Sequence, residues 1–330
     1  MKAVSKYLET IEETINNSGL NLDEYEIYYR GESKNYPTTT PSVFRDGFLE
    51  KEHLLFRELE LRYPTIFDNV KLTIDKLTIM QHYGLPTRLL DFTTNPLLAL
   101  YMATDTEEYE RFAPLLKIIF VKKKDIKYYD SDTVSIFSNF SKIKNVLKVE
   151  LNGYFTDNGE IGYSQTPRPI VKMGFKYLKW ENLNILNTEQ KYDLGNSLCK
   201  SNSNLQYLLH EIKGEKPYFK DMIWTEHLNK SILFVKAKHN NQRILNQSGL
   251  FAIFGLNKSK KESYTLEECQ DINNFKIETF NINEGIASKT KEEKEEFIKN
   301  IKKSLSILGL SLDKVYPEIE NSSKYIKKVI

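Results

Sequence analysis

The hydrophobic and polar positions of the chain switch repeatedly between a helical and an extended period. Apolar residues at helical spacing predict helices over residues 3–17, 48–63, 75–84, 95–104 and 289–310. β-Branched and aromatic runs predict strands over residues 24–31, 113–124, 231–238, 250–256 and 273–282, with a short extended segment at 85–95. Because these elements are interleaved without a regular βαβ order, we predict an α+β fold, with central mixed or antiparallel sheets flanked by helices.

Several element ends carry their own signals. Gly84 is placed to end the helix 75–84, and Pro64 ends the helix 48–63. Asn95 and Pro96 have the residue types of an N-cap and a first helical position, so they predict where the helix 95–104 begins.

The middle of the chain is less regular. From residue 125 to 230 aromatic and polar residues mix with loop formers, apart from a helix near 203–212, and another short helix is expected within 315–329. We therefore predict a core made of residues 1–125 and 230–330, with residues 126–229 as an insertion or variable lobe packed on that core.

Charge and composition narrow the function classes. The 330 residues include 47 Lys and Arg against 45 Asp and Glu, and a net charge of +2 gives no global attraction to nucleic acid or membrane. No window approaches the ~20 apolar residues of a membrane helix, and the N-terminus has the pattern of an amphipathic helix instead of a signal peptide. We therefore expect a cytoplasmic protein.

Cys199 and Cys269 lack metal-ligand spacing, which argues against a metal site.

Arginine is scarce in this lysine-rich chain, with eight residues in all. In such a chain, an arginine is expected at positions where lysine cannot replace its planar set of hydrogen-bond donors. Arg30 ends the strand 24–31, and Gly31 beside it would let a ligand or another backbone approach. The fork could hold a phosphate or a ribose. The alternative is a surface arginine next to a turn glycine.

Residues 78–104 contain the densest set of polar side chains among apolar ones. Arg88 and Asp91 are close enough in sequence to form an ion pair, and Thr93 and Thr94 precede a helix N-terminus, where anions are favoured. His82 has the ordinary pKa range for acid–base work. The alternative is that Asn95 is only a cap and that His82 is a structural histidine at a helix end.

A third polar group lies within residues 240–254. Arg243 and Gln247 are four residues apart and would share a face of a helical turn, and Gly249 opens the following strand. The alternative is a helix-to-strand loop with Gly249 as its cap.

Together these segments resemble the FRG domain family, which is named for a Phe-Arg-Gly motif; here Tyr29 stands in the place of Phe. The resemblance continues through MQHYGLPTRLLDFTTNPLLALYMA (80–103), NNQRILNQSGLFAIFG (240–255) and ILGLSLDKVYPEIENSSKYI (307–326). It covers roughly residues 20–125 and 230–330 and omits the middle lobe.

The order of these motifs is in turn similar to that of ADP-ribosyltransferases, which implies an ADP-ribosyltransferase-like core and NAD as substrate. The resemblance implies catalytic roles for Arg30 and Gln247, and His82 is added as a catalytic candidate from its residue type. It implies NAD contacts from Tyr29, Arg30, Gly31, Tyr83, Arg88, Asp91, Phe92, Thr93, Thr94 and Arg243, with Tyr83 or Phe92 stacking on nicotinamide. Gln247 departs from the glutamate usual in that superfamily and cannot act as an anionic base, although it could hydrogen-bond a ribose hydroxyl. The alternatives are a nucleophile supplied by the substrate or another carboxylate such as Asp91.

Three functions remain open at this point. The first is an NAD-using ADP-ribosyltransferase or NAD glycohydrolase, as a bacterial toxin or an anti-phage defence effector, whose acceptor is an unidentified protein or nucleic acid. The second is a nucleotide-binding or sensing module without catalysis. The third is a protein that acts on nucleic acid, with Arg30, Arg88 and His82 on phosphates.

Overall fold

The computed structural model describes residues 2–36, 38–144, 153–155, 161–163, 176–177, 187–220, 223, 231–238, 249–255, 264–273 and 275–316. Its strands are β1 (Tyr25–Glu32), β2 (Leu89–Thr93), β3 (Leu115–Lys122), β4 (Ile126–Tyr128), β5 (Gly153–Phe155), β6 (Ile161–Tyr163), β7 (Lys176–Tyr177), β8 (Ile232–Lys236), β9 (Gly249–Phe254) and β10 (Lys276–Asn281). The helices are α1 (Lys2–Asn16), α2 (Glu52–Arg62), α3 (Pro64–Phe67), α4 (Thr73–His82), α5 (Pro96–Ala103), α6 (Asp132–Asn139), α7 (Thr188–Ser201), α8 (Ser203–Glu215), α9 (Leu266–Asn273), α10 (Lys291–Ile307) and α11 (Leu312–Val315).

Seven strands form one mixed sheet in the order β10-β3-β1-β2-β9-β8-β4. Neighbouring strands are antiparallel except β4 and β8, which run parallel. A separate three-stranded sheet has the order β6-β5-β7. The predicted α+β class with a mixed central sheet is therefore confirmed.

The sheet buries apolar side chains on both faces. Consecutive residues of a strand point to opposite faces, and Leu89 and Leu90 of β2 accordingly enter two different hydrophobic clusters. Leu89 joins a cluster formed with α2, α4, α6, α7 and α8, whereas Leu90 joins one that includes α9. A further cluster packs α1, α5 and α10 on β1 and β3.

The predicted element ends agree with the structure. Gly84 follows α4 with φ +80°, a left-handed conformation suited to glycine. The Asn95 side chain accepts hydrogen bonds from the N–H groups of Leu97 and Leu98, and Pro96 is the first residue of α5. The helix predicted over 289–310 is α10, which begins with a capping box between Thr290 and Glu293.

The helix predicted over 48–63 needs a correction. Residues 48–51 form a 3₁₀ turn before α2 begins. Leu54, one of the apolar positions at helical spacing in this stretch, has 52% of its surface exposed, while Glu52, His53 and Phe56 are buried. The buried face of α2 is therefore set by an ion pair of Glu52, described below, and not by the apolar spacing alone.

The middle segment contributes to the sheet described above. β4 is an edge strand of the seven-stranded sheet, and α6 packs with α4 in one cluster. Neither β4, α6 nor α9 is predicted by the sequence pattern, whereas the helix expected near 203–212 is α8. The division of the chain into a core and a lobe stays a prediction, and the short helix expected within 315–329 falls mostly outside the described residues.

Gly31 lies in close backbone contact with α5. A Cβ built there would lie 1.8 Å from the carbonyl oxygen of Ala99 and 2.8 Å from the backbone nitrogen of Ala103. Glycine lets β1 and the backbone of α5 come this close, which sets the position of the β1 end relative to α5.

We expect Gly31→Ala to lower the free energy of unfolding by at least about 2 kcal/mol, because the methyl group meets backbone atoms that cannot rotate away. Gly214→Ala in α8 is the matched control: nothing lies within 4 Å of its Cβ position, and alanine favours a helix by up to about 1 kcal/mol. Urea unfolding of both variants measures the difference. Equal stability of Gly31→Ala and the wild type would contradict the close packing.

Candidate functional site

The site lies where β1 and β2 stop pairing as a ladder. The two strands share one register pair in the described sheet, Tyr29 with Thr93. Beyond it, Arg30 reaches across to β2, where its Nη1 donates to the backbone carbonyl of Asp91 at 2.9 Å and to Asp91 Oδ1 at 3.1 Å. The arginine side chain thereby takes the place of a backbone ladder bond between the strands.

Arg30 is also held from its own strand. Its Nε donates to Glu32 Oε1 at 3.1 Å, and the two residues lie two apart on β1, where side chains share a face. Burial by itself lowers the pKa of the Arg30 guanidinium, but Asp91 and Glu32 outweigh burial and raise that pKa above its ordinary value. The guanidinium is therefore a fixed cation held between two carboxylates.

A line of alternating charges continues behind Arg30. Glu32 Oε1 accepts a hydrogen bond from the Thr39 hydroxyl, and Glu32 Oε2 lies 3.9 Å from Lys117 Nζ. Lys117 in turn donates to Glu267 Oε1 at 2.5 Å. Burial raises the pKa of the Glu267 carboxyl, but hydrogen bonds from Lys117 and backbone N–H groups bring it below its ordinary value.

A cavity of about 290 Å³ opens beside this arginine. Its lining consists of Arg30, Gly31, Gln81, His82, Asp91, Met102, Phe251 and Tyr316. Four predicted site residues, Arg30, Gly31, His82 and Asp91, thus meet at one cavity.

The carboxyl-terminal turn of α4 supplies two of the polar groups. Gln81 Nε2 donates to Asp91 Oδ1 at 3.2 Å, and Gln81 Oε1 accepts from the Thr87 hydroxyl at 2.9 Å. His82 is the last residue of α4 and precedes the left-handed Gly84. The chain reversal after α4 therefore brings the helix end, Thr87 and β2 together around the Asp91 carboxylate.

Arg88 does not form the ion pair predicted with Asp91. It pairs instead with Glu52 of α2, with Nε donating to Glu52 Oε1 at 2.9 Å, and its Nη1 donates to the carbonyls of Phe254 and Gly255. Arg88 lies in the bend just before β2, and its guanidinium is held by α2 and by the carbonyls at the end of β9 instead of reaching Asp91. Arg88 is 4% exposed, and it joins α2 to the end of β9 instead of lining the cavity.

The remaining predicted NAD contacts are spread around the cavity or away from it. Tyr29 and Phe92 are buried, and Phe92 packs against Phe234 with ring centroids 6.2 Å apart. The hydroxyl oxygen of Thr93 accepts a hydrogen bond from the backbone N–H of Asn95. Thr94 and Tyr83 are exposed. Arg243 and Gln247 lie outside the described residues, and the ligand roles of all these residues stay predictions.

Several site residues were not singled out by sequence reasoning. Glu32 could have been found from its position two residues after Arg30 on the same strand face. Met102, Phe251 and Tyr316 carry no such signal, because they reach the cavity from α5, from β9 and from the chain after α11. Only the folded arrangement of these elements brings them to Arg30.

The polar groups of the cavity suit hydrogen bonding to a small polar ligand. Asp91 has 35% of its side chain exposed and offers a carboxylate, while Arg30 has 17% exposed. Among the described residues no accepting group bonds to Arg30 Nη2, so its two N–H groups can donate to a ligand. Within the same part of the chain, no group of three or more His, Cys, Asp or Glu is placed to hold a metal ion.

The family model of the FRG domain matches residues 25–111. This match supports the FRG family. The matched range includes Arg30, Gly31, His82, Asp91 and Met102 of the cavity, and ends before Phe251 and Tyr316. No curated protein matches the chain, and no solved structure does either. None of the helices in the described part of the chain is long and apolar enough to cross a membrane.

We expect Arg88→Met to lower the free energy of unfolding by about 3–5 kcal/mol, because it leaves Glu52 charged and buried without its partner. The control is Arg62→Met, whose exposed pair with Glu58 is expected to contribute less than about 1 kcal/mol. Denaturant unfolding measures both. In the double variant Glu52→Met/Arg88→Met, the loss should be partly recovered. A stability of Arg88→Met equal to that of Arg62→Met would contradict the structural assignment.

Proposed function

We propose that the cavity beside Arg30 binds the nicotinamide and ribose of NAD⁺ and that the FRG protein cleaves the bond between them. The observation that carries this proposal is the Asp91 carboxylate, which Arg30 and Gln81 orient at the wall of a cavity that also contains His82. The proposal extends to an ADP-ribosyltransferase-like core, with which the mixed sheet is compatible.

The reaction requires a negative group near the ribose. When the bond between C1′ and the pyridinium nitrogen breaks, its electron pair leaves with nicotinamide, and C1′ becomes an oxocarbenium-like centre. A fixed carboxylate stabilises that developing positive charge. A nucleophile then bonds to C1′ and releases its proton to solvent or to a base. Asp91 thus provides the anionic group that a glutamine at position 247 does not.

The size of the cavity fits part of the substrate. Its volume of about 290 Å³ lies at the lower end of the range for ligand pockets, about 300–1,000 Å³. The nicotinamide and its ribose are the part of NAD⁺ placed in it, with Arg30 Nη2 donating to a carboxamide or hydroxyl oxygen. The diphosphate and adenosine then extend away from Asp91.

The acceptor decides the reaction class. With water as nucleophile the protein is an NAD glycohydrolase, and with a group on a protein or nucleic acid it is an ADP-ribosyltransferase. A cytoplasmic toxin or anti-phage defence effector is the role proposed for either activity.

A second candidate is a nucleotide-sensing module without turnover. It is favoured by the hydrogen bonds that Asp91 Oδ1 accepts from Arg30 and Gln81, because these bonds already occupy an oxygen that a catalytic base would use. A direct role on nucleic acid gains no such support, since Asp91 and Glu32 already neutralise Arg30 and repel phosphates.

We expect the wild type to release nicotinamide from NAD⁺ and Asp91→Asn to do so at least about 100-fold more slowly, as is typical when a catalytic carboxylate is removed. Asp105→Asn is the matched control, because Asp105 pairs with Lys302 and does not line the cavity. Chromatographic detection of nicotinamide gives the rates, and thermal melting with and without NAD⁺ measures binding.

The outcomes separate the candidates. Wild-type release that Asp91→Asn leaves unchanged would remove Asp91 from the mechanism. A melting shift with NAD⁺ but no nicotinamide, with candidate acceptors added, would favour the sensing module. If neither nicotinamide release nor a melting shift is observed, both candidates are rejected for this cavity.

A further inference from the structure

A single chain of hydrogen bonds runs from the start of β2 into the cavity wall. The backbone N–H of Leu89 donates to Thr87 Oγ1 at 3.3 Å, and the Thr87 hydroxyl donates to Gln81 Oε1 at 2.9 Å. The other end of the same amide, Gln81 Nε2, donates to Asp91 Oδ1 at 3.2 Å. Thr87 and Gln81 therefore each accept one hydrogen bond and donate one, and the chain ends on the Asp91 carboxylate.

The chemistry of these groups fixes the direction of the chain. An ionised carboxylate only accepts hydrogen bonds, so the NH₂ group of Gln81 faces Asp91 and the amide oxygen faces Thr87. Thr87 Oγ1 already accepts from the Leu89 N–H, which leaves its hydroxyl hydrogen for the amide oxygen. With the amide turned over, the Gln81 oxygen would meet Asp91 Oδ1, and two acceptors would face each other.

Thr87 is a rigid anchor for this amide. Its side chain is fully buried. Its backbone N–H donates to Ser42 Oγ at 3.2 Å, and its carbonyl accepts from the N–H of Val43 at 3.2 Å. Gln81, by contrast, is a long and half-buried side chain near the end of α4, and fixing its rotatable bonds costs entropy. The anchored hydroxyl therefore supplies one of the two contacts that hold the flexible side chain in place.

We infer that Thr87 is a positioning residue, which acts through Gln81 to hold the Asp91 carboxylate in one orientation at the cavity wall. Thr87 is buried behind Gln81 and does not line the cavity itself. This inference rests on the proposed function, in which that carboxylate faces the ribose, and it assigns a role in the reaction to a residue outside the cavity. Thr87 shares the task with Arg30, which also donates to Asp91 Oδ1.

Two substitutions at position 87 separate the hydroxyl from the shape of the side chain. Thr87→Val keeps the branched shape and removes the hydroxyl, whereas Thr87→Ser keeps the hydroxyl. We expect Thr87→Val to lower kcat for nicotinamide release about tenfold and to change KM by less than about twofold, because a displaced carboxylate slows the reaction of bound substrate. Thr87→Ser should keep kcat within about threefold of the wild-type value, since the hydrogen bond to Gln81 remains.

Thr78→Val is the matched control. Thr78 is also buried, and its hydroxyl donates to the carbonyl of Ile74 within α4 at 2.9 Å instead of to a residue of the cavity. The control thus removes a buried threonine hydroxyl from the same region, and kcat should stay at the wild-type value. Urea unfolding of all variants measures any loss of stability separately from the rates.

A double-mutant cycle tests whether Thr87 acts through Gln81. Gln81→Met removes the amide and keeps a side chain of similar length. We expect Thr87→Val to lower kcat in the wild type but not further in Gln81→Met, because coupled residues are not additive. The hydrogen bond from the Leu89 N–H is lost in both backgrounds and cancels in the cycle.

Three kinetic results would overturn the inference. The first is a wild-type kcat in Thr87→Val. The second is an equal loss from Thr87→Val in the wild type and in Gln81→Met, since the effect would then not pass through the amide. The third is a kcat of Thr87→Ser as low as that of Thr87→Val, which would indicate a role of shape alone.

NMR of the isotope-labelled protein measures the position of Gln81 without any ligand. Its NH₂ signals are identified by their absence in Gln81→Met. We expect these hydrogens to exchange slowly with solvent in the wild type and in Thr87→Ser, and faster in Thr87→Val. Wild-type exchange as fast as that of a free glutamine amide would overturn the inference, even if Thr87→Val does not fold.

The two measurements separate this inference from the proposed function. If the wild type releases no nicotinamide, the catalytic part of the proposed function fails, and amide exchange decides whether Thr87 positions Gln81. Exchange that Thr87→Val accelerates and Thr87→Ser does not would then support the positioning, and unchanged exchange would overturn it. Nicotinamide release with kcat and exchange both unaffected by Thr87→Val would overturn the inference and leave the proposed function intact.

Discussion

The central constraint on this structure is the Arg30 guanidinium between the carboxylates of Asp91 and Glu32. It bridges β1 and β2 where their backbone pairing ends, and it brings the two strands into the same site. A charged fork can do this because its donors reach a side chain and a backbone carbonyl at once. The cavity exists beside it because the strands are joined there by side chains and not by a continuous ladder.

A second arginine of the FRG domain shows how position decides role. Arg88 precedes the same strand that carries Asp91, but it pairs with Glu52 of α2 in a buried setting. There it satisfies the carbonyls of Phe254 and Gly255 and fixes α2 on the sheet. Arg30 is partly exposed at the cavity. Residue type alone therefore does not separate an arginine that lines a cavity from one buried in the core.

The packing of α5 on β1 positions this arginine. Ala99 and Ala103 of α5 are small, and Gly31 has no side chain, so the backbones meet. Because interiors are close-packed, Arg30 next to this contact has little freedom to shift. The polar site is thus built directly beside this close backbone contact.

The sequence by itself determined most of the local elements and their caps, because helical and strand periods, Asn95-Pro96 and Gly84 act over a few residues. It also singled out Arg30 and residues 78–104 as candidates for a site. It also indicated Asp91 as a candidate carboxylate. Only the tertiary structure decided the partners, since Arg30 meets Asp91 across 61 residues and Arg88 meets Glu52 across 36. It likewise brought Phe251 and Tyr316 to the cavity. Such pairings depend on which strand faces oppose each other, and local patterns do not encode that.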